Sequence, residues 1–230
     1  MHRIIHLTET DSTNKYIRPF IEKGENVCII ADRQTAGRGR LGRTFESPMG
    51  GLYMSFTVYG ADTLGDHLTA KTAVAAARAI EKVTHLDCGI KWVNDIYAGG
   101  KKLCGILAEG VWQNGKLAAV IIGIGVNLDG KLPDYLADIA TTVESAGGTV
   151  PDRVTLAEAI LREFADLTDF YDEYKSRQTF LGSPVTVHRG DETYDATFTD
   201  IAPDFSAVLT LPDGKTQTLS SGEISIRQTK

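Results

Sequence analysis

Leu103-Cys-Gly-Ile-Leu-Ala-Glu-Gly-Val-Trp112 and Leu117-Ala-Ala-Val-Ile-Ile-Gly-Ile-Gly-Val-Asn127 are two β-rich segments that lie on either side of Asn114-Gly115. An Asn-Gly pair between two such runs is a strong hairpin signal, because both residues tolerate positive φ. The stretch therefore predicts two long antiparallel strands at the centre of a sheet.

Other segments extend the predicted sheet and add helices to it. The runs Val27–Ala31, Leu52–Val58 and Ile90–Tyr97 predict further strands, and the second alternates large apolar side chains with others, as on a sheet with one well-buried face. Helices are predicted over Leu68–Val83, which is rich in alanine and contains no Gly or Pro, and over Thr155–Tyr174. Within the second helix, Thr155-x-x-Glu158 has the form of a capping box.

The pattern changes after Arg177, where short β-type runs are broken by Gly, Pro and Asp; the runs are Val185–His188, Thr193–Thr199, Ala207–Leu211 and Ile224–Arg227. They predict a small C-terminal barrel of about fifty residues. The order of elements predicts an α+β fold with a central mixed or antiparallel sheet flanked by helices. We expect one domain over residues 1–180 and a second over residues 181–230.

Composition limits the function. A chain of 230 residues with 42% hydrophobic content can bury one substantial core, and a net charge of −6 argues against nucleic acid or an anionic membrane as the main partner. Cys28, Cys88 and Cys104 are odd in number and widely spaced, so neither a disulfide framework nor a zinc site is expected. The longest apolar run is too short to span a bilayer, and no signal segment is recognisable, which predicts a cytoplasmic protein.

The chemistry is concentrated in Gln34-Thr-Ala-Gly-Arg38-Gly-Arg40-Leu-Gly-Arg43, which follows the Val27 strand and contains no acidic residue. Its glycines let the backbone approach a ligand closely, and arginine forks match phosphate and carboxylate geometry. The stretch lacks the spacing of a dinucleotide fold and the Lys-Ser/Thr of a P-loop. It is either an anion clamp or a flexible solvated loop.

Gly37-Arg-Gly-Arg-Leu-Gly-Arg43 resembles the characteristic loop of biotin protein ligases. Four further stretches resemble motifs of that family in the same order: Asp11-Ser-Thr-Asn14, Lys91-Trp-Val-Asn-Asp95, Lys102-Leu-Cys-Gly-Ile-Leu107 and Gly123-Ile-Gly-Val-Asn127. Gly222-Glu-Ile-Ser-Ile-Arg227 resembles the end of the family's C-terminal domain. The resemblance implies a class II synthetase-like catalytic fold, shared by biotin and lipoate ligases, followed by an SH3-like β-barrel.

The resemblance also implies a reaction and its participants. Biotin is activated with ATP and Mg²⁺ to biotinyl-5'-AMP, and its acyl group is passed to a lysine of a biotin carboxyl carrier protein domain. Lys102 and Arg40 are the expected catalytic residues. The expected biotin and nucleotide contacts are Ser12, Thr13, Asn14, Gln34, Gly37, Arg38, Gly39, Arg40, Arg43, Phe45, Lys102, Gly105, Gly123 and Asn127. The chain starts directly at the catalytic domain, so repressor activity is not expected, whereas a homodimer is a family-based expectation.

Physical reasoning supports Lys102, because activation brings a carboxylate against the α-phosphate and needs a cation between the two anions. An exposed turn lysine is the alternative, and it suits Lys101 better. Asn94 and Asp95 either help to position Mg²⁺ or form an ordinary turn. Gly123 and Gly125 either admit a ligand to the strand or mark a bulge.

Ser12, Thr13 and Asn14 offer short polar groups to the ureido ring of biotin, although Asp11 or Ser12 could equally be the N-cap of a helix that carries Ile17. Two residues depart from the family pattern. Val93 replaces the usual proline and should loosen a turn, and Phe45 replaces a common adenine-stacking tryptophan, which should weaken nucleotide affinity. A lipoate-type ligase and a non-catalytic carrier-protein or nucleic-acid binding module are the alternative functions.

Overall fold

A computed structural model describes residues 2–61, 66–220 and 224–228. Seven strands form the central sheet: β1 (Arg3–Thr10), β2 (Val27–Gln34), β3 (Gly51–Tyr59), β4 (Gly89–Lys91), β5 (Asp95–Ala98), β6 (Lys101–Gln113) and β7 (Lys116–Asn127). Their order across the sheet is β1-β2-β3-β7-β6-β5-β4. Strands β1 and β2 are parallel and all other neighbours are antiparallel, which confirms the predicted mixed sheet.

Within the described ranges, five α-helices accompany this sheet: α1 (Thr13–Tyr16), α2 (Arg18–Glu22), α3 (Asp66–Thr84), α4 (Arg153–Asp166) and α5 (Tyr171–Ser176). A second, antiparallel sheet follows in the chain and has the strand order β11-β10-β9-β8-β12. Its strands are β8 (Pro184–Arg189), β9 (Glu192–Ile201), β10 (Ala207–Thr210), β11 (Thr216–Leu219) and β12 (Ile224–Gln228). The α+β class with a small C-terminal β unit is therefore confirmed.

Period-two alternation gives the central sheet two different faces. One face carries the main core beneath α3 and α4, with Cys28, Ile30, Leu52, Met54, Phe56, Ile122 and Ile124. The opposite face is covered by α1 and α2 only over part of its width, where Ile17 and Ile21 pack on Val27, Ile29 and Ile121. The rest of that second face is free to line a site.

Three predicted elements differ from the structure. Ile90–Tyr97 is not one strand, because the chain turns at residues 92–94 and pairs β4 with β5. Thr155–Tyr174 is not one helix, because Leu167 is extended and turns into the core with Phe170. The capping box is also wrong, since Asp152 is the N-cap of α4 and its Oδ1 accepts from the Thr155 backbone N–H at 2.9 Å.

The sequence patterns also missed two strands. Strand β1 lies at the edge of the central sheet and shows mixed burial, so its alternation is weak. Strand β11 is short and begins with three polar residues before the buried Leu219, so it is recognisable only from its pairing with β10. For the expected Gly222–Arg227 motif, Gly222 and Glu223 lie outside the described residues, while the backbone from Ile224 onward forms β12.

The C-terminal unit is attached beside the turn between β4 and β5. The Ile90 N–H donates to the Arg177 carbonyl at 2.7 Å and the Thr179 N–H donates to the Ile90 carbonyl at 2.8 Å, so the linker pairs with β4. The Trp92 indole N–H donates to the Phe205 carbonyl at 3.0 Å. Phe205 is buried against Phe170 at a centroid distance of 5.3 Å. The two sheets are thereby held together next to the residues described below.

Among the described residues, no helix combines the length and apolar character needed to cross a membrane.

Candidate active site

A cavity of about 580 Å³ opens on the partly uncovered face of the central sheet. It lies between the N-terminus of α1, the loop that follows β2, and strands β5, β6 and β7. The loop closes as a small hairpin, because Arg38 pairs with Thr44 and the Gly39 N–H donates to the Arg43 carbonyl at 2.7 Å. The structure thus brings most of the predicted site residues around one space.

One end of the cavity is lined by uncharged polar groups at the start of α1. The Thr13 backbone N–H donates to Gln34 Oε1 at 2.9 Å, and Gln34 Nε2 donates to Ser47 Oγ at 3.0 Å. Ser12 is the N-cap of α1 by position, yet its side chain forms no capping hydrogen bond. Asp11 instead accepts from the Ser12 N–H at 2.7 Å and from Lys15 Nζ at 2.6 Å. The Ser12 side chain is therefore not committed to the helix end.

The floor of the cavity is formed by strand positions that carry no side chain. A Cβ at Gly105 would lie 2.8 Å from Phe45 Cε2, and one at Gly125 would lie 2.8 Å from Phe45 Cζ. A Cβ at Gly123 would lie 3.0 Å from Asn14 Nδ2 and closer still to its Oδ1. Phe45 and Asn14 thus pack directly against the backbone of β6 and β7, and the regular pairing of Gly105 with Gly125 and of Leu107 with Gly123 shows no bulge here.

The other end of the cavity is cationic. Its lining contains one carboxylate, Asp95, against five cationic side chains: Arg38, Arg40, Lys91, Lys102 and Arg43. Arg38 and Arg43 are exposed, whereas Arg40 is half-buried and donates through Nη1 to Asn94 Oδ1 at 3.1 Å. Positive charge that faces a partly enclosed space attracts anions more strongly than the same charge in water.

Lys102 lies beside the floor of the cavity, where a Cβ at Gly105 would be 3.1 Å from its Nζ. Its Nζ is 2.8 Å from Asp95 Oδ1 and 5.5 Å from the centre of the Phe45 ring, and its side chain is 29% exposed. Its backbone is fixed on both sides, since the Lys102 N–H donates to the Ile139 carbonyl and the Thr141 N–H donates to the Lys102 carbonyl, both at 2.9 Å. Lys101 points elsewhere and donates to the Ala137 carbonyl at 2.6 Å.

The turn between β4 and β5 is well supported despite Val93. The Trp92–Val93 peptide bond is cis. Val93 is buried, and its carbonyl accepts from the Tyr174 hydroxyl at 3.1 Å. The side-chain Nδ2 of the adjacent Asn94 donates to the Ile106 carbonyl at 2.8 Å, and the Asn94 backbone carbonyl accepts from the Ile106 N–H at 3.0 Å. Neighbouring elements therefore hold the turn, and a loosening relative to proline stays a prediction.

Two of the predicted contact residues do not line the cavity. Gly37 is buried behind it, where a Cβ would meet Gln34 and Ser47. Asn127 is buried at the end of β7 and donates through Nδ2 to the Thr141 carbonyl at 3.1 Å. Both positions support the walls of the site in this structure. The remaining predicted contacts, from Ser12 to Gly123, all line the cavity.

Sequence reasoning missed three polar residues beside the cavity. Ser55 is fully buried between Thr13 and Asn14, Glu109 accepts a hydrogen bond from Asn14, and Ser47 accepts one from Gln34. Ser55 lies between Met54 and Phe56 in β3, and Glu109 follows the apolar run Ile106–Ala108 in β6. A polar residue on the less buried face of a strand was the available signal.

The cysteines take no part in this chemistry. All three are free and buried, and burial raises the pKa of the Cys28 thiol to about 12. Burial also raises the pKa of Cys104, which lies behind Lys102 on the core face of β6. A protonated, buried thiol is a poor nucleophile, so these side chains act as small core residues.

The comparison with protein families identifies the fold. A model described as the biotin/lipoate A/B protein ligase family matches residues 4–127, more than half of the chain. The chain belongs to this family. A second model, described as the biotin protein ligase C terminal domain, matches residues 180–227, which include the second sheet. This agrees with the predicted SH3-like unit.

Individual relatives agree with the family assignment. The chain is 40% identical over 143 residues to the bifunctional ligase/repressor BirA of Bacillus subtilis, a match that covers 60% of this chain and 44% of that protein. It is 30% identical over 232 residues to the Escherichia coli protein of the same description, covering 94% and 72%. The chain thus matches less than half the length of the Bacillus relative.

Among solved structures, a biotin protein ligase from Aquifex aeolicus in complex with biotin and ATP superposes with a TM-score of 0.85. Its sequence is 28% identical, and the match covers 100% of both chains. The family's fold is therefore present from one end of the chain to the other.

The close packing of Asn14 on Gly123 generates a prediction about stability. Gly123→Ala should lower the free energy of unfolding by about 1–3 kcal/mol, because Asn14 is held by hydrogen bonds and cannot move away cheaply. Gly39→Ala is the matched control, since its Cβ would have no neighbour nearer than 3.4 Å. Urea denaturation of both variants measures the difference. Equal stabilities would show that the floor tolerates a side chain.

Proposed function

We propose that this chain is a biotin protein ligase: it activates biotin with ATP to biotinyl-5'-AMP and transfers the biotinyl group to a lysine of a biotin carboxyl carrier protein domain. The observation that carries the proposal is the lining of one cavity, which combines uncharged polar groups at the start of α1 with a cationic cluster and includes Lys102 beside its glycine floor. Biotin and ATP have the matching distribution of neutral and anionic groups.

The uncharged end suits the bicyclic ring of biotin. Its ureido group presents one carbonyl acceptor and two N–H donors, and Ser12, Thr13, Asn14 and Gln34 supply hydroxyl and amide partners. No hydrogen bond of the Ser12 hydroxyl is recorded within the described chain, although this side chain is buried and lines the cavity. This hydroxyl is therefore available to a polar group of a ligand in the cavity.

The cationic end suits the reacting groups. A carboxylate oxygen of biotin attacks the α-phosphorus of ATP, a new C–O–P linkage forms, and the bond to the β-phosphate breaks to release pyrophosphate. Two anions must approach each other, so a cation between them lowers the barrier. Lys102 takes this position, and Arg38, Arg40 and Arg43 cover the phosphates. Phe45 offers an aromatic face to adenine.

The lining suits Mg²⁺ only if the substrate phosphates supply some of its ligands. Within the described part of the chain, no three His, Cys, Asp or Glu side chains are grouped for metal binding. Asp95 is the one carboxylate of the lining, while the amide oxygen of Asn94 accepts from Arg40. Mg²⁺ commonly uses one or two carboxylates together with waters and substrate phosphates, and Asp95 satisfies that need. The ion would supply further positive charge at the phosphates.

The second half-reaction needs protection of the intermediate. The neutral amine of the acceptor lysine attacks the acyl carbon, AMP leaves, and an amide forms with loss of a proton. Until then the mixed anhydride must be kept from water. Arg40 reaches from its loop to Asn94 across the cavity, so it fastens the loop over the intermediate.

The proposal extends to organisation and partners. We propose residues 1–180 as the catalytic domain and residues 181–230 as an accessory β-barrel, supported by the separate family matches at 4–127 and 180–227. The carrier domain is the proposed protein partner and the cytoplasm, where ATP is supplied, the proposed location. A net charge of −6 argues against nucleic acid as a partner.

Pyrophosphate exchange tests the first half-reaction. We expect ATP-dependent exchange with biotin and background exchange with lipoate, whose dithiolane ring has no group for the uncharged end. Lys102→Ala should lower the biotin-dependent rate by about a hundredfold, as for loss of a transition-state donor. Lys101→Ala should change it little, because that side chain contacts the Ala137 carbonyl. Equal effects of both substitutions in folded protein would refute the role of Lys102.

Release of the adenylate tests the role of Arg40. Arg40→Gly should retain some adenylate synthesis but hold the product about ten- to a hundredfold more weakly, because a charge-assisted contact worth roughly 1.5–3 kcal/mol is lost. The free adenylate then acylates lysines of an unrelated lysine-rich protein, which labelling detects. Arg33→Gly is the matched control, since Arg33 pairs with Glu9 outside the cavity. Labelling no stronger than that by the unmodified chain would contradict a clamp.

A further inference from the structure

Glu109 lies outside the cavity lining, yet it ends a chain of hydrogen bonds that reaches the uncharged end. Asn14 Nδ2 donates to Glu109 Oε2 at 2.7 Å, and Asn14 Oδ1 lies 2.5 Å from Ser55 Oγ. Ser55 Oγ in turn lies 2.7 Å from Thr13 Oγ1. Thr13 and Asn14 line the cavity, whereas Ser55 is fully buried and the Glu109 side chain is 25% exposed.

The chemistry of the groups fixes the direction of this chain. A carboxylate only accepts hydrogen bonds, so Asn14 must turn its NH₂ toward Glu109 and its carbonyl oxygen toward Ser55. That oxygen also only accepts, so the single hydroxyl proton of Ser55 must go to Asn14. The Arg18 guanidinium lies 3.9 Å from the other carboxylate oxygen of Glu109.

The direction continues to Thr13. Because the Ser55 proton is committed to Asn14, the short contact between Ser55 and Thr13 requires the hydroxyl proton of Thr13. Gln34 Oε1 is a more distant acceptor for that proton, at 3.1 Å, and already accepts the Thr13 backbone N–H at 2.9 Å. The protons therefore run from Thr13 to Ser55, from Ser55 to Asn14, and from Asn14 to Glu109.

This direction decides what the uncharged end presents to a ligand. With its proton committed, the Thr13 hydroxyl keeps only lone pairs for the cavity and can accept from a ligand N–H. Asn14 uses one N–H for Glu109 and retains a second that can donate to a ligand carbonyl. A cyclic urea, with N–H groups beside a carbonyl, has the complementary pattern.

We propose that Glu109 is a positioning residue that sets the donor and acceptor pattern of the uncharged end and thereby selects ligands bearing a ureido N–H. This inference rests on the proposed function, which names biotin as the ligand. A ligand that lacks the N–H leaves buried acceptors of the site unpaired. The free-energy cost of these unpaired groups lets the site reject a close analogue strongly.

Glu109→Gln is the decisive substitution, because a glutamine amide has the same shape but can also donate. Asn14 can then reverse, and the Thr13 proton is no longer committed. We expect the KM for biotin in pyrophosphate exchange to rise by about tenfold or more, with the KM for ATP within about twofold of the original. Glu25→Gln is the matched control, since that carboxylate pairs with Arg3 at 2.8 Å outside the cavity.

A second readout separates this role from a general structural one. The unmodified chain should discriminate strongly against a biotin analogue methylated on one ureido nitrogen, because Thr13 can only accept. In Glu109→Gln the freed proton gives Thr13 donor character, so the discrimination ratio should shrink. Ser55→Ala breaks the same chain one link nearer to Thr13 and should shrink the ratio too, which keeps the test valid if Glu109→Gln fails to fold.

The outcomes separate the two proposals. Absence of biotin-dependent exchange in the unmodified chain would remove the proposed function itself. Normal exchange, with an unchanged KM for biotin and an unchanged discrimination ratio in Glu109→Gln, would overturn the role of Glu109 alone. Equal increases in the KM for biotin and for ATP would also overturn it, because they would indicate a general distortion of the site.

Discussion

The absence of side chains at Gly105, Gly123 and Gly125 is the constraint on which the site depends. These positions lie on one face of β6 and β7, where any Cβ would collide with Phe45 or Asn14. The opposite face of the same strands is filled by apolar residues of the main core. The backbone of β6 and β7 is therefore bare on one side. Phe45 and Asn14 can pack directly against it as walls of the cavity only because these positions are glycine.

Charge is distributed around this floor according to what each end must hold. The uncharged end is a network with a fixed direction, anchored by Glu109 behind it, while the cationic end gathers arginines on a loop and Lys102 on a strand. Lys102 is held by its backbone and by Asp95, so its charge is positioned before any ligand arrives. Such preorganisation makes electrostatic stabilisation effective, since little rearrangement accompanies the reaction.

Much of this arrangement could be predicted from the sequence because its determinants are local. The β6–β7 hairpin followed from Asn114-Gly115, and the loop around Arg40 from its glycines and arginines. The support of the site could not be predicted in this way. Glu109 meets Asn14 across 95 positions of sequence, and after the break at Leu167 the ring of Phe170 packs against His67 and Phe205. These contacts join residues that are distant in sequence, and hydrophobic periodicity and helix-capping signals report only on neighbouring residues.

We propose that one cavity joins a neutral ring system and two anionic groups through Lys102. This proposal is tested most directly by incubating the protein with biotin, ATP and Mg²⁺, removing unbound small molecules, and measuring the mass of whatever remains bound. We expect retained biotinyl-5'-AMP, which should be absent when biotin is replaced by lipoate. Recovery of unreacted biotin and ATP, or of no ligand at all, from folded protein would contradict it.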